Sequence, residues 1–442
     1  MKTLPIFFPW TRISLLTLFL FSAIGLFAQN DIKLRTTSQL KAFYQNRESK
    51  APATVKTRLA ATRTRIANAK LSYQVGYTRA SDRPLKQLTG DLPQIPASEI
   101  TRIKALMLSL PNSDDDKDGD SGALPSKWDS RDKGWVSGVR DQQSCGSCWS
   151  FAAVAMYESS FRKRNGGSIN ASEQQVLDCS GGGDCDGGFS YKVYDWMIDN
   201  TKNLRTESSY SYQNAQKSCP TSASNTGYYA KSWKVLRSDG DISKICDANT
   251  IKQAIMDYGA VNASLQATDE WSDYTDGVLD GMASNTGNPT SNHAILIIGW
   301  DNSKEAFLVK NSWGTDWGLD GFCWVKYDNF NIGRRAAVII AQKEDCLSFN
   351  PNNATVTNDN HIVDGDHSLF AFPNKAEADK TLKIIKKYGF NRTCFVGRPD
   401  ASFHYSLVGT KSPVGAATGE DCLSFKPANL QVKKDGSQFL LT

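Results

Sequence analysis

Residues 142–151 read QQSCGSCWSF, a Gly-Ser turn that delivers Cys148 to the start of a helix expected over residues 148–163, where Phe151, Val154, Ala155 and Phe161 recur near helical spacing. The placement matters because thiolate, not thiol, is the reactive form of cysteine, and an ordinary thiol with a pKa of about 8.5 is mostly protonated at neutrality. A helix amino terminus favours negative charge there, and a neighbouring cation favours it further. The natural cation is histidine, and the chain holds four: His293, His361, His367 and His404. Only His293 precedes residue 343, so a Cys–His dyad in this part of the chain takes His293 as its base, brought in by folding across 145 residues. Cys145 and Cys148 also form a C-x-x-C, which opens zinc and thiol-redox alternatives. Zinc would want a second matching pair, whereas Cys179 and Cys185 have five residues between them in a Gly-rich loop. A redox motif would want a thioredoxin-like βαβ pattern nearby, and none is evident.

Downstream the texture turns to strands, expected over residues 293–300, 306–309, 322–327 and 336–341 and separated by Gly and Asn turns. Two further motifs stand there: SNHAILIIGW at residues 291–300 and VKNSWGTDWG at residues 309–318. In this order and at these separations, the three motifs resemble those of the papain-like cysteine peptidases, with the similarity running over about residues 124–341.

That resemblance implies an α+β fold of two lobes, a helical one carrying Cys148 and an antiparallel β-barrel-like one carrying His293 and Asn311, with a cleft between them. It implies Cys148 as nucleophile, and His293 as its ion-pair partner and the acid that later protonates the leaving amine. Asn311 would orient the imidazole by accepting from its second ring N–H, the task of the third member of a triad. Trp313 would shield that hydrogen bond, and the Gln142 amide would join the Cys148 backbone N–H in an oxyanion hole. Gln143 stands where relatives often have Gly. Gly187 and Gly188 match glycines whose exposed backbone pairs with an extended peptide, a form of strand addition. Trp149, Phe189, Ser264, Asn292 and Ala294 are implied to line the cleft, with an apolar second subsite expected. The family pattern also implies bridges Cys145–Cys185 and Cys179–Cys219; Cys246 and Cys323 fall off that pattern and are expected to bridge each other. Relatives that trim dipeptides use an additional His pair, absent here, so an open-cleft endopeptidase is expected, needing no cofactor and no metal.

The whole chain has 442 residues, 40% hydrophobic and 22% charged, which excludes a disordered or small disulfide-scaffold protein. Its net charge of +5 gives no reason to invoke nucleic acid. The distribution of charge says more. Residues 29–112 carry 15 Lys and Arg against 5 Asp and Glu, while residues 124–343 carry 22 against 25. Opposite signs favour contact between the two segments, and residues 29–112, Cys-free and broken into helix-like pieces at 38–44 and 54–70, are expected to be an inhibitory propeptide. Residues 1–28 contain a charge-free apolar run from 13 to 28 behind Lys2 and Arg12, the pattern of a signal peptide for export without a stable membrane span. Residues 113–123 are an acidic linker open to proteolysis; its D-x-D-x-D-G start meets Pro125 where a calcium loop needs Glu.

Beyond residue 343 a third unit, residues 344–442, is expected to be an α+β accessory module whose ligand is unspecified. It holds an internal echo, EDCLSFNPNNATV at 344–356 and EDCLSFKPANLQV at 420–432, and a capped helix over 375–388. Cys346 and Cys394 could bridge, leaving Cys422 odd, and His361, His367 and His404 beside Asp364 and Asp366 have no spacing that supports a metal geometry. Four N-x-[ST] triplets, at Asn170, Asn262, Asn353 and Asn391, matter if the host glycosylates. Two function classes follow: a secreted cysteine endopeptidase acting on proteins or peptides, or a secreted binding or adhesion protein carrying an inert peptidase fold.

Overall fold

The computed structural model describes residues 32–109, 123–165, 168–199, 203–222, 228–342 and, with short interruptions, 345–396, together with strand segments between 404 and 441. The expected signal peptide, and all but residue 123 of the acidic linker, lie outside the described residues.

The basic amino-terminal segment forms α1 (Thr37–Ser49), α2 (Ala53–Asn68), β1 (Tyr73–Val75), α3 (Leu85–Leu88) and α4 (Ala97–Ser109). Thr36 and Gln39 close a capping box at the head of α1, satisfying two backbone donors that the first turn would leave open. Then follow β2 (Lys127–Asp129), α5 (Cys148–Asn165), α6 (Glu173–Cys179), β3 (Gly183–Asp184), β4 (Gly187–Gly188) and α7 (Ser190–Met197). The second lobe comprises β5 (Ala230–Val235), α8 (Ala248–Tyr258), β6 (Val261–Leu265), β7 (Tyr274–Leu279), β8 (His293–Asp301), β9 (Ala306–Lys310), β10 (Phe322–Lys326) and β11 (Arg334–Ala341). Its strands make one sheet in the order β1-β7-β10-β9-β8-β6-β11-β5, with β2 added on β8; all its pairs are antiparallel except β10 with β7. The edge strand β1 comes from the amino-terminal segment, so that segment is woven into the sheet and not merely laid upon it.

Helix α5 decides where the site lies. It is buried along its whole length to Arg162, on every face, because α6 and α7 cover one side while β8 and β11 cover the other. Two of the polar residues this buries are hydrogen-bonded across it: Glu158 accepts from the Ser137 hydroxyl at 2.5 Å and the Ala171 N–H at 2.8 Å, and the Ser160 hydroxyl accepts from the Ala341 N–H at 2.9 Å. Arg162, Lys163 and Arg164 fall in its last turn, where cations complement the helix dipole. Strand β8, buried from His293 to Trp300 between β6 and β9, reads as a continuous apolar run for the same reason.

Two expectations are corrected. Cys246 and Cys323 do not bridge: both are free and buried, Cys323 within β10 and Cys246 beside Gly333, and burial pushes the Cys246 thiol up to about 12. The Asn262 triplet is no sugar acceptor in the folded chain, because Asn262 is buried in β6, where its amide donates to the Ile295 carbonyl. Residues 345–396 have an apolar cluster of their own, including Ile362, Ile385 and Tyr388. Its helix α9 (Lys375–Tyr388) is capped by the Asn374 side chain and ends on Gly389 in the left-handed conformation. The strands Asp345–Ser348 and Phe390–Val396 set Cys346 directly opposite Cys394 in backbone register.

Candidate active site

Cys148 is the first residue of α5, and its thiol is buried and unbridged. Two crosslinks fix the turns around it: Cys145–Cys185 ties the helix approach to the loop bearing Gly187 and Gly188, and Cys179–Cys219 ties the end of α6 to the following chain. The Ala294 N–H donates to Cys148 Sγ at 3.4 Å, and the N–H groups of Gly90 and Trp149 also face the sulfur. His293, at the head of β8, is therefore brought beside Cys148 across 145 residues of chain. Its Nε2 lies 2.8 Å from Asn311 Oδ1. An amide oxygen accepts, so this contact puts the ring proton on Nε2 and leaves Nδ1 with a lone pair. Nδ1 is buried with no hydrogen-bond partner, which makes it the open valence of the site.

Asn311 Oδ1 also accepts from the Ser312 N–H at 2.8 Å, which pins the amide orientation. The Trp313 indole lies over the imidazole with ring centroids 4.8 Å apart, and Trp317 meets Trp313 edge-on at 5.0 Å, so water is kept from the His293–Asn311 bond. Gln142 is buried beside the helix start. Its side-chain oxygen accepts from the Ser312 hydroxyl at 2.6 Å and its amide donates to the Cys145 carbonyl at 3.0 Å, leaving a second amide N–H. Gln143, the position where Gly was the commoner expectation, adopts φ +57°, the left-handed region that Gly occupies without cost.

The cleft between the lobes is filled by the chain itself. Gly90 and Asp91 donate their N–H groups to the Asn292 carbonyl at 3.0 and 2.9 Å. On the other wall the Gly188 N–H donates to the Gly90 carbonyl at 2.8 Å, and the Leu92 N–H to the Gly188 carbonyl at 3.2 Å, forming a parallel bridge of Asp91 with Gly188. Gly188 has no room for a side chain, since an added Cβ would stand 2.6 Å from the Trp149 ring. Phe189, Asn292 and Ala294 line this trough, and Ser264 sits opposite Ala294 in the β6–β8 register. An apolar subsite is expected on this wall. Beside Gly188 the structure places Arg335, Arg334 and Ser291 around the Asp91 carboxylate. Sequence reasoning missed all four residues; the only signal was a pair of arginines at the head of an apolar strand.

Burial beneath residues 89–92 governs the electrostatics. It pushes the Cys148 thiol up to about 12, against the lowering effect of the Ala294 N–H, and pushes the His293 imidazole down to about 4. Thiol and imidazole are thus both uncharged in the covered site. Among the described residues no group of three or more His, Cys, Asp or Glu is arranged to hold a metal.

The model of the papain family cysteine protease matches residues 124–341. Macrodontain-1 from Ananas macrodontes is 34% identical over 216 residues, covering 48% of this chain and 93% of that protein. Ananain from Ananas comosus is 34% identical over 209 residues, and human cathepsin O 32% identical over 208. These alignments cover 46% of this chain in each case and span 56% and 62% of the two relatives' lengths. Among solved structures, digestive procathepsin L 3 of Tenebrio molitor larval midgut superposes with a TM-score of 0.54 at 22% identity, over 69% of this chain and 99% of its own, a likeness of fold.

Proposed function

The chain belongs to the papain family of cysteine proteases, and from that membership we propose that it is a secreted zymogen of a cysteine endopeptidase. Residues 1–28 serve as signal peptide, 29–112 as propeptide, 113–123 as the processing linker, 124–343 as the peptidase and 344–442 as an accessory module. His293 Nδ1 takes the proton of the Cys148 thiol, and the resulting Cys148 sulfur anion attacks the substrate carbonyl carbon, with the oxyanion received by the Cys148 N–H and the free amide N–H of Gln142. As the C–N bond breaks, His293 gives its proton to the leaving amine, and a thioester to Cys148 remains. Water, losing its proton to His293, then attacks the thioester and returns the thiol. Asn311 is the positioning residue, holding the imidazole so that Nδ1 faces the sulfur. Gly187 and Gly188 pair with the acyl side of the peptide.

The observation that carries this reading is the buried His293 Nδ1 without a partner, on a ring locked by Asn311 and one residue before Ala294, whose N–H donates to the Cys148 sulfur. Residues 89–92 cover the same sulfur, which supports a propeptide role. No cofactor enters, although a reducing milieu keeps Cys148 from oxidation. After removal of the amino-terminal segment, wild type hydrolyses unfolded protein and takes up a thiol-reactive active-site probe, and Cys148→Ala does neither. No Cys148-dependent hydrolysis anywhere between about pH 4 and pH 8 would assign the chain to the binding class, with its peptidase fold inert.

A further inference from the structure

The pocket beside Gly188 is built around a carboxylate. Asp91 Oδ1 accepts from Arg335 Nη1 at 2.5 Å and Asp91 Oδ2 from the Ser291 hydroxyl at 2.5 Å. Arg334 Nη1 in turn donates to Ser291 Oγ. All four residues are buried. Arg335 has no other carboxylate in ion-pair reach among the described residues, Arg334 has none, and Arg335 Nε is buried without a hydrogen-bond partner. The backbone is bent to this purpose. Arg335 adopts φ +56°, uncommon for a residue with a side chain, at a register shift in the pairing of β11 with β6. Such bulges re-aim a side chain, and the strain they hold collects at functional positions. The guanidinium so aimed lies 5.2 Å from the Phe189 ring, which fixes its plane.

Once residues 89–92 leave, the Arg335 guanidinium faces the cleft with its only carboxylate gone, and an incoming carboxylate would restore the charge-assisted hydrogen bonds that Asp91 made. We propose that Arg335, with Ser291 and Arg334, forms a specificity subsite for an acidic side chain, Asp or Glu, of the peptide substrate, and that Asp91 is the occupant the chain supplies to itself while covered. Gly90 faces the sulfur and Asp91 is its neighbour, so the subsite takes the residue next to the one whose carbonyl is attacked. Pairing with Gly188 puts it on the acyl side. This inference rests on the endopeptidase reading and names its substrate class.

The test uses the full chain after its own processing, offered a peptide library with cleavage sites read by mass spectrometry, and a matched set of internally quenched peptides carrying Glu, Leu or Lys at the second residue before the scissile bond. Asp and Glu are expected to be enriched at that residue, with kcat/KM for the Glu peptide about 10- to 100-fold above the Leu peptide, the range expected of hydrogen bonds to a charged group. In Arg335→Glu the order inverts, with Lys above Glu. Should that variant not fold, the wild-type profile decides alone. Leu, Val or Phe dominant at that residue without acidic enrichment overturns the subsite and leaves the endopeptidase reading standing. No cleavage of any peptide, acidic or not, overturns both.

Discussion

At the residue scale, Cys148 and His293 are tuned by what lies over them. A thiolate–imidazolium pair needs both groups charged, and burial disfavours both charges at once, raising the thiol to about 12 and lowering the imidazole to about 4. Between those values the covered pair is neutral and unreactive. In the proposed mechanism, removal of residues 89–92 admits water, the proton passes from sulfur to the lone pair already open at Nδ1, and the helix end stabilises the remaining anion. Iodoacetamide is therefore expected to label Cys148 slowly in the intact chain near neutral pH. After processing it should label quickly, with a rate that holds well below the ordinary thiol value of about 8.5. Equal rates in the two forms, read by mass spectrometry of the Cys148 peptide, would mean that the covering segment does not control ionisation.

At the element scale, the tightest fit in the cleft is backbone against backbone. A Cβ on Gly90 would stand 1.7 Å from the Gly146 carbonyl oxygen, and neither partner is a side chain that can rotate away. Gly90→Ala must lift the strand-like stretch from both walls, and the overpacking cost corresponds to a rise of about 10- to 100-fold in the Cys148 labelling rate of the intact chain. Labelling no faster than in the parent would show that the cover is held elsewhere. Much of this architecture is legible from the residues. The apolar runs announce β8 to β11, and the Gly-Ser turn announces the start of α5. What the sequence of α5 hides is its total burial: Glu158, Ser159, Ser160 and Arg162 look like a solvent face until the surrounding layers cover them, with partners for Glu158 and Ser160. The Arg334–Arg335 pair is hidden more deeply, because its meaning depends on a bulge and on an acidic residue more than 240 positions earlier, Asp91. Spacing reveals which elements exist; it does not reveal a pocket assembled from four distant loops and strands.

At the scale of the whole molecule, the charge imbalance becomes an interface. Arg35 meets Asp320 at 2.5 Å, Arg58 meets Asp273 at 2.9 Å, Arg83 meets Asp141 at 3.2 Å, Arg102 meets Asp195 at 2.6 Å and Lys104 meets Asp241 at 2.9 Å, each cation coming from the amino-terminal segment. Partly exposed pairs contribute about 0–1 kcal/mol apiece, so it is their number and shared direction that counts. Two titrations then set the pH response. Burial works against the Asp241 charge, but hydrogen bonds from Ser243 and Lys104 outweigh it and hold the carboxyl below its ordinary 3.8, so its contribution is present above that value and lost as pH falls through the lowered one. The covered His293 resists protonation down to about 4, against an ordinary 6.5, so acid favours the uncovered state throughout that interval. Both signs agree. Release of the amino-terminal segment, followed by the rate of Cys148 labelling in the intact chain, should accelerate as pH falls from about 6.5 to about 4 and further below it. At neutral pH, raising salt towards 1 M, where the Debye length is about 3 Å, should accelerate it as well, though less, because the buried Asp91–Arg335 pair is shielded from the added ions. A labelling rate flat across that pH range, and unmoved by salt, would show that apolar packing of α1, α2 and β1 holds the segment and that its charge serves another end.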